Sequence, residues 1–416
     1  MISPDTRLCR EVDMKHKTIE IFLFIDALGW KIVNDQQFLT DLLPHRRKID
    51  MQFGYSSSAI PTILSGKTPA EHGHLGLFRF APDASPFKTV SRLAWLFKPQ
   101  SFWNRGRVRH HLSKILKKLY GFTGYFQLYR MPIWKLKYVD YCEKRDLFVS
   151  GGMENIANLH DTLSGKQVDF HISDWHIGDN ENYLAAENAI ESGKKFLFVY
   201  TASFDGVLHN KISDVTAIKN KLDEIKKQIE HLYHKAEEYA ENVHFTVISD
   251  HGMTPLAGTV DIMNAVEKSG LVFGKDYGAC FDSTMARFYY LNENAEPVIR
   301  RVMQQFPGHF LSREEEVRYG IYRPDRMFGD SIFLLDAGIQ IAPSDMGELP
   351  LNGMHGFVPE NEHSFAALLS NEPIPDWVEK VADDSCFHGG ITDRWSLEYD
   401  NKTMIGCLVD FYRVWA

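Results

Sequence analysis

Val243-His244-Phe245-Thr246-Val247-Ile248-Ser249-Asp250-His251-Gly252 is the stretch on which the fold turns. It opens as a strand-length run rich in apolar and branched residues, then gives way to Asp-His-Gly, turn chemistry carrying two ligand-type side chains. Two upstream runs share this form: Thr18–Ile25 runs into Asp26-Ala27-Leu28-Gly29, and Lys195–Tyr200 into Thr201-Ala202-Ser203-Phe204-Asp205. Such near-continuous apolar runs are expected of strands buried on both faces, as in a parallel sheet. Between the second and third, Ile218, Leu222, Ile225, Ile229 and Leu232 recur at spacings of three and four. That pattern predicts one long helix over residues 215–240 with a single buried face, capped at Ser213 or Asp214. Strand, helix, strand with right-handed crossovers predicts an α/β fold, a mostly parallel sheet sandwiched by helices, with the active groups beyond the carboxyl ends of its strands.

The 416 residues exceed the usual length of one domain, so insertions or a second unit are expected. At 44% hydrophobic and 13% aromatic, the composition supports a large core and excludes a disordered chain. The net charge of −9 argues against a general binder of nucleic-acid polymers. That average conceals a local opposite: residues 84–139 hold 12 of the 46 basic residues, 12 aromatics and no Asp or Glu. The expected organisation is a core of 15–263 and 351–416, a basic aromatic insertion at 79–150, and a small α+β cap at 264–350. Within the cap, Ala286–Leu291 and Ser331–Leu335 read as strands and Ala295–Gln305 as a helix.

In the insertion, Arg105, Arg107, Arg109, Lys114, Lys117 and Lys118 share a predicted helix with Val108, Leu112, Ile115, Leu116 and Leu119. Phe122, Tyr125, Phe126, Tyr129 and Trp134 follow it. A basic amphipathic helix with trailing aromatics suits an interfacial element, peripheral to an anionic membrane or meeting a lipid- or glycan-linked substrate. The competing expectation is a folded subdomain with core aromatics and solvated cations. Five cysteines, odd in number and without a C-x-x-C pair, read as reduced thiols. With no leader-like N-terminus and no apolar run of membrane-spanning length, a cytoplasmic protein is the expectation.

The chemistry gathers where strands end. Asp26 follows the first strand, Asp205 and His209 the second, Asp250 and His251 the third, and His355 lies in Gly353-Met354-His355-Gly356. Three carboxylates and three imidazoles suit two borderline divalent cations, zinc first and manganese as the alternative. Singly, each piece has a plainer reading: Asp26 as a turn residue, Asp205 and His209 as a helix-start pair. Their joint occurrence in this order carries the expectation. Ser56-Ser57-Ser58 opens a short helix ending at Gly66, which places a hydroxyl where exposed N–H groups favour phosphate. An ordinary serine cap is the alternative.

The order Asp26, Ser56, Asp205/His209, Asp250-His251-Gly252, His355-Gly356 resembles the alkaline phosphatase superfamily, closest to its type I phosphodiesterase/nucleotide pyrophosphatase branch. The resemblance spans most of 18–270 and 330–370. It implies that Asp205, His209 and His355 hold one metal and that Asp26, Asp250 and His251 hold the other, with Ser56 bridging toward it. It also implies Ser56 as nucleophile, ten residues before Gly66, and a metal-dependent phosphoric ester hydrolase working through a phospho-serine intermediate, with diesters ahead of monoesters. Phosphonate hydrolysis or phosphoryl transfer on the same core is the second reading, and a non-catalytic membrane- or glycan-binding protein the third. The chain departs from the nucleotide-hydrolysing relatives by Ser56 in place of threonine and by Leu77 at or near the position of a phosphate-contacting asparagine. Arg79 is a candidate to supply the missing donor. His72, His74 and His388 also sit beside glycines; the resemblance puts His72 in a recurring Pro-x-x-His-Gly phrase, and it reads as structural or as supporting a ligand from behind.

Overall fold

The three apolar runs become the middle of a six-stranded sheet. The computed structural model describes residues 15–381 apart from 99 and 377. Expectations placed on Cys9, Cys386, Cys407, His388 and the last part of the core lie outside the described residues. In chain order the strands that position the site are β1 (His16–Ile25), β2 (His45–Ile49), β3 (Phe78–Phe80), β4 (Val139–Tyr141), β5 (Phe170–Ile172), β6 (Phe196–Thr201) and β7 (Ala240–Ile248). The main sheet runs β2, Ala366–Ser370, β7, β1, β6, β5. β1 is parallel to both neighbours, with Phe24 opposite Tyr200 on one side and Ile248 on the other. That register brings the strand ends level, so the chain leaves β1, β6 and β7 side by side at one edge of the sheet.

Alternation along buried strands sorts their side chains between two cores. Ile21, Leu23, Ile25, Val199 and Val247 pack under the helix Val215–Tyr239, which turns Ile218, Leu222, Ile225, Ile229 and Leu232 inward. The Asp214 side chain accepts from the Ala217 N–H at 3.0 Å, which makes Asp214 the cap. Phe22, Phe24, Phe196 and Phe198 face the other way, against Ile63 and Leu64 of the helix Ser56–Ser65. Three strands of the sheet were not legible beforehand, among them the three-residue β5 at the far edge. β2 is a cationic edge strand, His-Arg-Arg-Lys-Ile, and Ala366–Ser370 is a short antiparallel strand wedged between β2 and β7.

Residues 277–335 build a separate antiparallel sheet from Tyr277–Phe281, Met285–Tyr290, Ser331–Leu335 and Gly308–Phe310. The helix Ala295–Met303 packs on it through Ala295, Ile299 and Met303. The basic aromatic segment leaves the body at β3 and returns at β4, which pair with Arg79 opposite Asp140. Between them Phe87, Leu112, Leu116, Phe126 and Leu136 form a core of their own, so many of its aromatics are structural. The helix Gly106–Tyr120 is rotated from the expected orientation: Arg109, Leu112, Ser113 and Leu116 face inward while Ile115 and Leu119 face solvent. Hydrogen bonds decide the rotation. Arg109 Nη2 donates to the Met131 carbonyl at 2.6 Å, and Ser113 Oγ accepts from the Leu128 N–H at 2.9 Å. Among the described residues, no helix is long and apolar enough to cross a membrane.

The turns after β1 and β7 are pressed together where Gly29 meets Gly252. A Cβ on Gly252 would lie 2.2 Å from the His363 carbonyl oxygen, and one on Gly29 would lie 2.5 Å from the Gly252 Cα. Both neighbours are backbone, so neither can move cheaply. We expect Gly252→Ala to destabilise the fold by about 2 kcal/mol or more, read as a fall in thermal midpoint, whereas Gly165→Ala, with open space around it, leaves the midpoint almost unchanged.

Candidate metal centre and active site

Each strand end contributes at least one carboxylate. Asp26 lies one residue beyond β1, Asp250 two beyond β7, and Asp205 in the first turn of the helix Ser203–Lys211 that follows β6. His209 sits one turn along that helix, and His355 follows the short strand Gly353–Met354. Asp205, His209 and His355 offer ligand atoms all within 4.8 Å of one another, and so do Asp26, Asp205 and His251. Asp250 stands against the second set, its Oδ2 at 3.1 Å from His251 Nε2. The structure therefore gathers all six expected ligands. It also places Asp205 beside both clusters, where the sequence reading assigned it to one.

The donor set suits cations. Asp250 and His251 are wholly buried and Asp26 almost so. Asp26 Oδ1, Asp205 Oδ1, Asp250 Oδ2 and His355 Nδ1 are buried and accept or donate no hydrogen bond among the described residues. Buried carboxylate oxygens without a partner are costly unless something positive meets them. Burial, then the neighbouring Asp250 and Asp205, raises the Asp26 pKa well above the carboxylate range; burial likewise raises Asp205. Burial alone would depress the His251 pKa, but Asp250, Asp26 and Asp205 outweigh it and hold the imidazole at about 9. Without cations, the protein relieves this crowding of carboxylates only by holding protons on them and on His251. Two histidines are oriented from behind: His209 Nδ1 meets the Gly353 carbonyl at 2.9 Å and His251 Nδ1 the Gly252 carbonyl at 2.9 Å. As N–H donors there, both turn Nε2 toward the carboxylates, His209 Nε2 at 3.3 Å from Asp205 Oδ1 and His251 Nε2 at 3.1 Å from Asp250 Oδ2, the side from which a metal would be bound.

The three serines separate cleanly. Ser56 Oγ lies 3.0 Å from His251 Nε2. Ser58 Oγ is spent on the Phe53 and Tyr55 carbonyls, each at 2.9 Å. Ser57 Oγ is buried and has no hydrogen-bond partner among the described residues. Ser56 is the first residue of its helix, with Tyr55 as the cap, so the unsatisfied N–H groups of the first turn open onto the site. Tyr55 ties that turn to its surroundings. The Thr284 N–H donates to Tyr55 Oη at 3.0 Å, Tyr55 Oη meets Thr284 Oγ1 at 2.8 Å, and Thr284 Oγ1 donates to the Gly356 carbonyl at 2.7 Å. One hydroxyl relay thereby joins the Ser56 turn, the small sheet and the His355 loop. Beneath the same helix, His72 Nε2 meets Thr62 Oγ1 at 3.1 Å, a structural placement.

A cavity of about 630 Å³ opens beside Ser56, Asp26, Asp205, His209 and His355. Its further walls include Tyr125, Tyr129 and Glu143, with Leu77, Trp175 and Tyr200. Among the described residues, no Lys or Arg lines it. Arg79 is elsewhere: Nη2 donates to Asp140 Oδ2 at 2.8 Å and Nη1 points at the Met327 sulfur. Asp140, Arg79 and Lys144 form an ion cluster at the base of the insertion, and that pairing keeps Arg79 from serving as a phosphate fork. Sequence reasoning missed Glu143, Tyr200 and Trp175 as cavity residues. No local motif marks them; Tyr200, which donates to Asp26 Oδ2 at 3.0 Å, is an unremarked strand residue until the fold is known.

The fold and this clustering define a mixed α/β core of alkaline-phosphatase type. Residues 21–357 match the model of the type I phosphodiesterase/nucleotide pyrophosphatase family, and the chain belongs to that family of metal-dependent phosphoester hydrolases. No curated protein matches the sequence. Among solved structures, murine ectonucleotide pyrophosphatase/phosphodiesterase 5 is similar at 13% identity and a TM-score of 0.60, over 86% of this chain and 88% of that one. An inactive variant of that murine protein in complex with AMP gives 13% and 0.57, over 85% and 88%. The human protein of the same name gives 12% and 0.59, over 86% and 87%. At such identities the structural likeness concerns the fold.

Two outcomes follow from these electrostatics. Zinc added to metal-stripped protein should raise the thermal midpoint, by about 3 kcal/mol of stabilisation at a hundredfold excess over Kd. Asp205→Asn, which alters the carboxylate beside both clusters, should lose more of that increment and of the bound zinc than His209→Ala. Glu143 supplies a second test, since burial pushes its pKa up to about 8. A carboxyl whose folded pKa exceeds its unfolded one favours the fold at low pH, and stability falls as pH rises from the unfolded value through about 8. Glu143→Gln should therefore melt higher than the parent at pH 9, by on the order of a few kcal/mol, with the gap closing toward pH 5.

Proposed function

We propose that this protein cleaves a phosphodiester by in-line attack of Ser56 Oγ on phosphorus. The observation that carries the reading is the contact of Ser56 Oγ with His251 at the mouth of the Asp/His clusters, on a helix terminus suited to phosphate. Two divalent ions, zinc by preference, would be held by Asp205, His209 and His355 and by Asp26, Asp250 and His251, and would lower the serine pKa and offset charge on the leaving oxygen. Ser56 displaces the leaving alcohol to give a phospho-serine, and water then cleaves the P–O bond to restore the hydroxyl. The N–H groups of the first helical turn face the non-bridging oxygens. Tyr200 fixes Asp26, and the Tyr55–Thr284 relay fixes the turn that carries Ser56.

The cavity favours a diester over a monoester, because a substantial second group must fill it. Its walls also bear on the kind of group. Leu77 lines the cavity and offers no hydrogen bond where the nucleotide-hydrolysing relatives place asparagine. Tyr125 and Tyr129, joined through their hydroxyls at 2.6 Å, stand with Glu143 and Trp175. Aromatic faces with hydroxyl and carboxyl groups suit a lipid- or glycan-linked alcohol better than a polyanion. A cytoplasmic setting, in which the free Cys142 and Cys280 stay reduced, belongs to the same proposal.

The test uses the bis-p-nitrophenyl ester of phosphate, the corresponding monoester and a phenylphosphonate ester, with zinc or manganese. Turnover of the diester should exceed that of the other two. Ser56→Ala should lower it by roughly a thousandfold or more while bound metal is retained, and Ser57→Ala should leave most of it. A phosphonate preference, or full turnover in Ser56→Ala, would overturn the assignment.

A further inference from the structure

The insertion shows solvent a combination that neither a folded core nor the cavity uses. Leu93, Trp95, Leu96, Phe102, Ile115 and Leu119 are all exposed, Trp95 and Leu119 at 67% and Ile115 at 62%. They belong to one lobe, since the core that buries Leu112 and Leu116 also takes Ala94 and Phe97 against it. Around them Lys88, Arg92, Lys98, Arg105, Arg107, Lys114, Lys118 and Lys137 are exposed. None of these eight cations is in an ion pair among the described residues. There is no acidic residue anywhere in 84–139 to oppose them. On the helix Gly106–Tyr120, Ile115 and Leu119 share one stripe, flanked by Lys114 and Lys118.

We propose that this lobe docks the protein on an anionic lipid bilayer, with Trp95, Ile115 and Leu119 entering the interface and the surrounding cations meeting lipid phosphates and carboxylates. Exposed large apolar side chains on a folded lobe call for a partner, and unopposed cations among them specify its charge. Apolar insertion and basic attraction together make the paired signal that stable peripheral attachment requires. A second copy of the chain is a poor partner, because two identical acid-free lobes repel. The surface also has a functional orientation. Lys117 on the same helix lies 5.0 Å from the centre of the Trp175 ring, and Trp175 lines the cavity. Arg130 of the insertion pairs with Glu348, in the loop whose Leu349 and Leu351 are both exposed and line the cavity. Docking would set the cavity mouth beside the bilayer.

The experiment is co-sedimentation of the full chain with vesicles of phosphatidylcholine alone and of equal parts phosphatidylcholine and phosphatidylserine. Binding should require the anionic lipid and weaken as salt rises. Lys114→Glu with Lys118→Glu should reduce it by about tenfold or more. Ile115→Ser with Leu119→Ser should reduce it at constant charge. Both variants change exposed side chains, so their thermal midpoints and turnover of the soluble diester should match the parent, which separates failure of docking from failure of the hydrolase assignment. Equal binding to both vesicle types, or none, would overturn the proposal. So would self-association without lipid that Ile115→Ser with Leu119→Ser abolishes, since the face would then be a contact between copies.

Discussion

Three carboxylates, Asp26, Asp205 and Asp250, converge at the ends of neighbouring parallel strands with buried oxygens that only imidazoles approach, and the rest of the molecule is arranged around that concentration of charge. Left alone, such a knot opposes folding, because taking ionised groups out of water costs several kcal/mol each in practice. The chain does not relieve it with lysine or arginine. It surrounds the carboxylates with imidazoles, fixes two of these by backbone carbonyls, and brings Ser56 Oγ against one. A site that defers its neutralisation in this way is built for cations that come from outside, and the family to which the chain belongs is metal-dependent.

What holds the knot together is backbone. The parallel register of β1 with β6 and β7 sets three strand ends level, and two glycines let the turns beyond β1 and β7 cross in contact. The Tyr55–Thr284–Gly356 relay then fastens two further loops, one from each side of the cavity, through hydroxyl and backbone groups alone. A side chain near the chemistry is thereby supported by elements from the main sheet and the small sheet together, so a change in the 281–285 turn reaches Ser56 through Tyr55.

Charge is partitioned by the insertion. Most of its cations point to solvent or into ion pairs at its base, Arg109 and Lys135 being buried within it, and its cavity-facing residues are tyrosines with the carboxyl of Glu143 beside them. In the proposed reaction the anionic reacting group and the rest of the substrate would be handled in different places, the phosphoryl group at the Asp/His clusters and helix terminus, the remainder against aromatic and hydroxyl surface. The average charge of the chain describes neither surface.

Much of this was written in local pattern. Apolar runs ending in Asp or Asp-His-Gly specify parallel strands with ligand-type side chains at their ends because strand period and turn chemistry are local properties, and the 215–239 helix is legible for the same reason. Other features had no local signal. β2 is too cationic to read as a strand until Ala366–Ser370 lies beside it. The helix of the insertion faces inward through Arg109 and Ser113 because the loop at 128–131 supplies their partners, which no helical periodicity contains. Arg79 looked like a phosphate donor until Asp140, sixty-one residues away, claimed it. By itself the sequence determined the three central strands, the six Asp and His residues beyond them and the serine cluster, since each rests on residues adjacent or periodic in the chain. Only the tertiary structure decided which serine meets His251, that Asp205 stands beside both clusters, and that the cavity is aromatic rather than basic, because those outcomes depend on which distant segments are packed against one another.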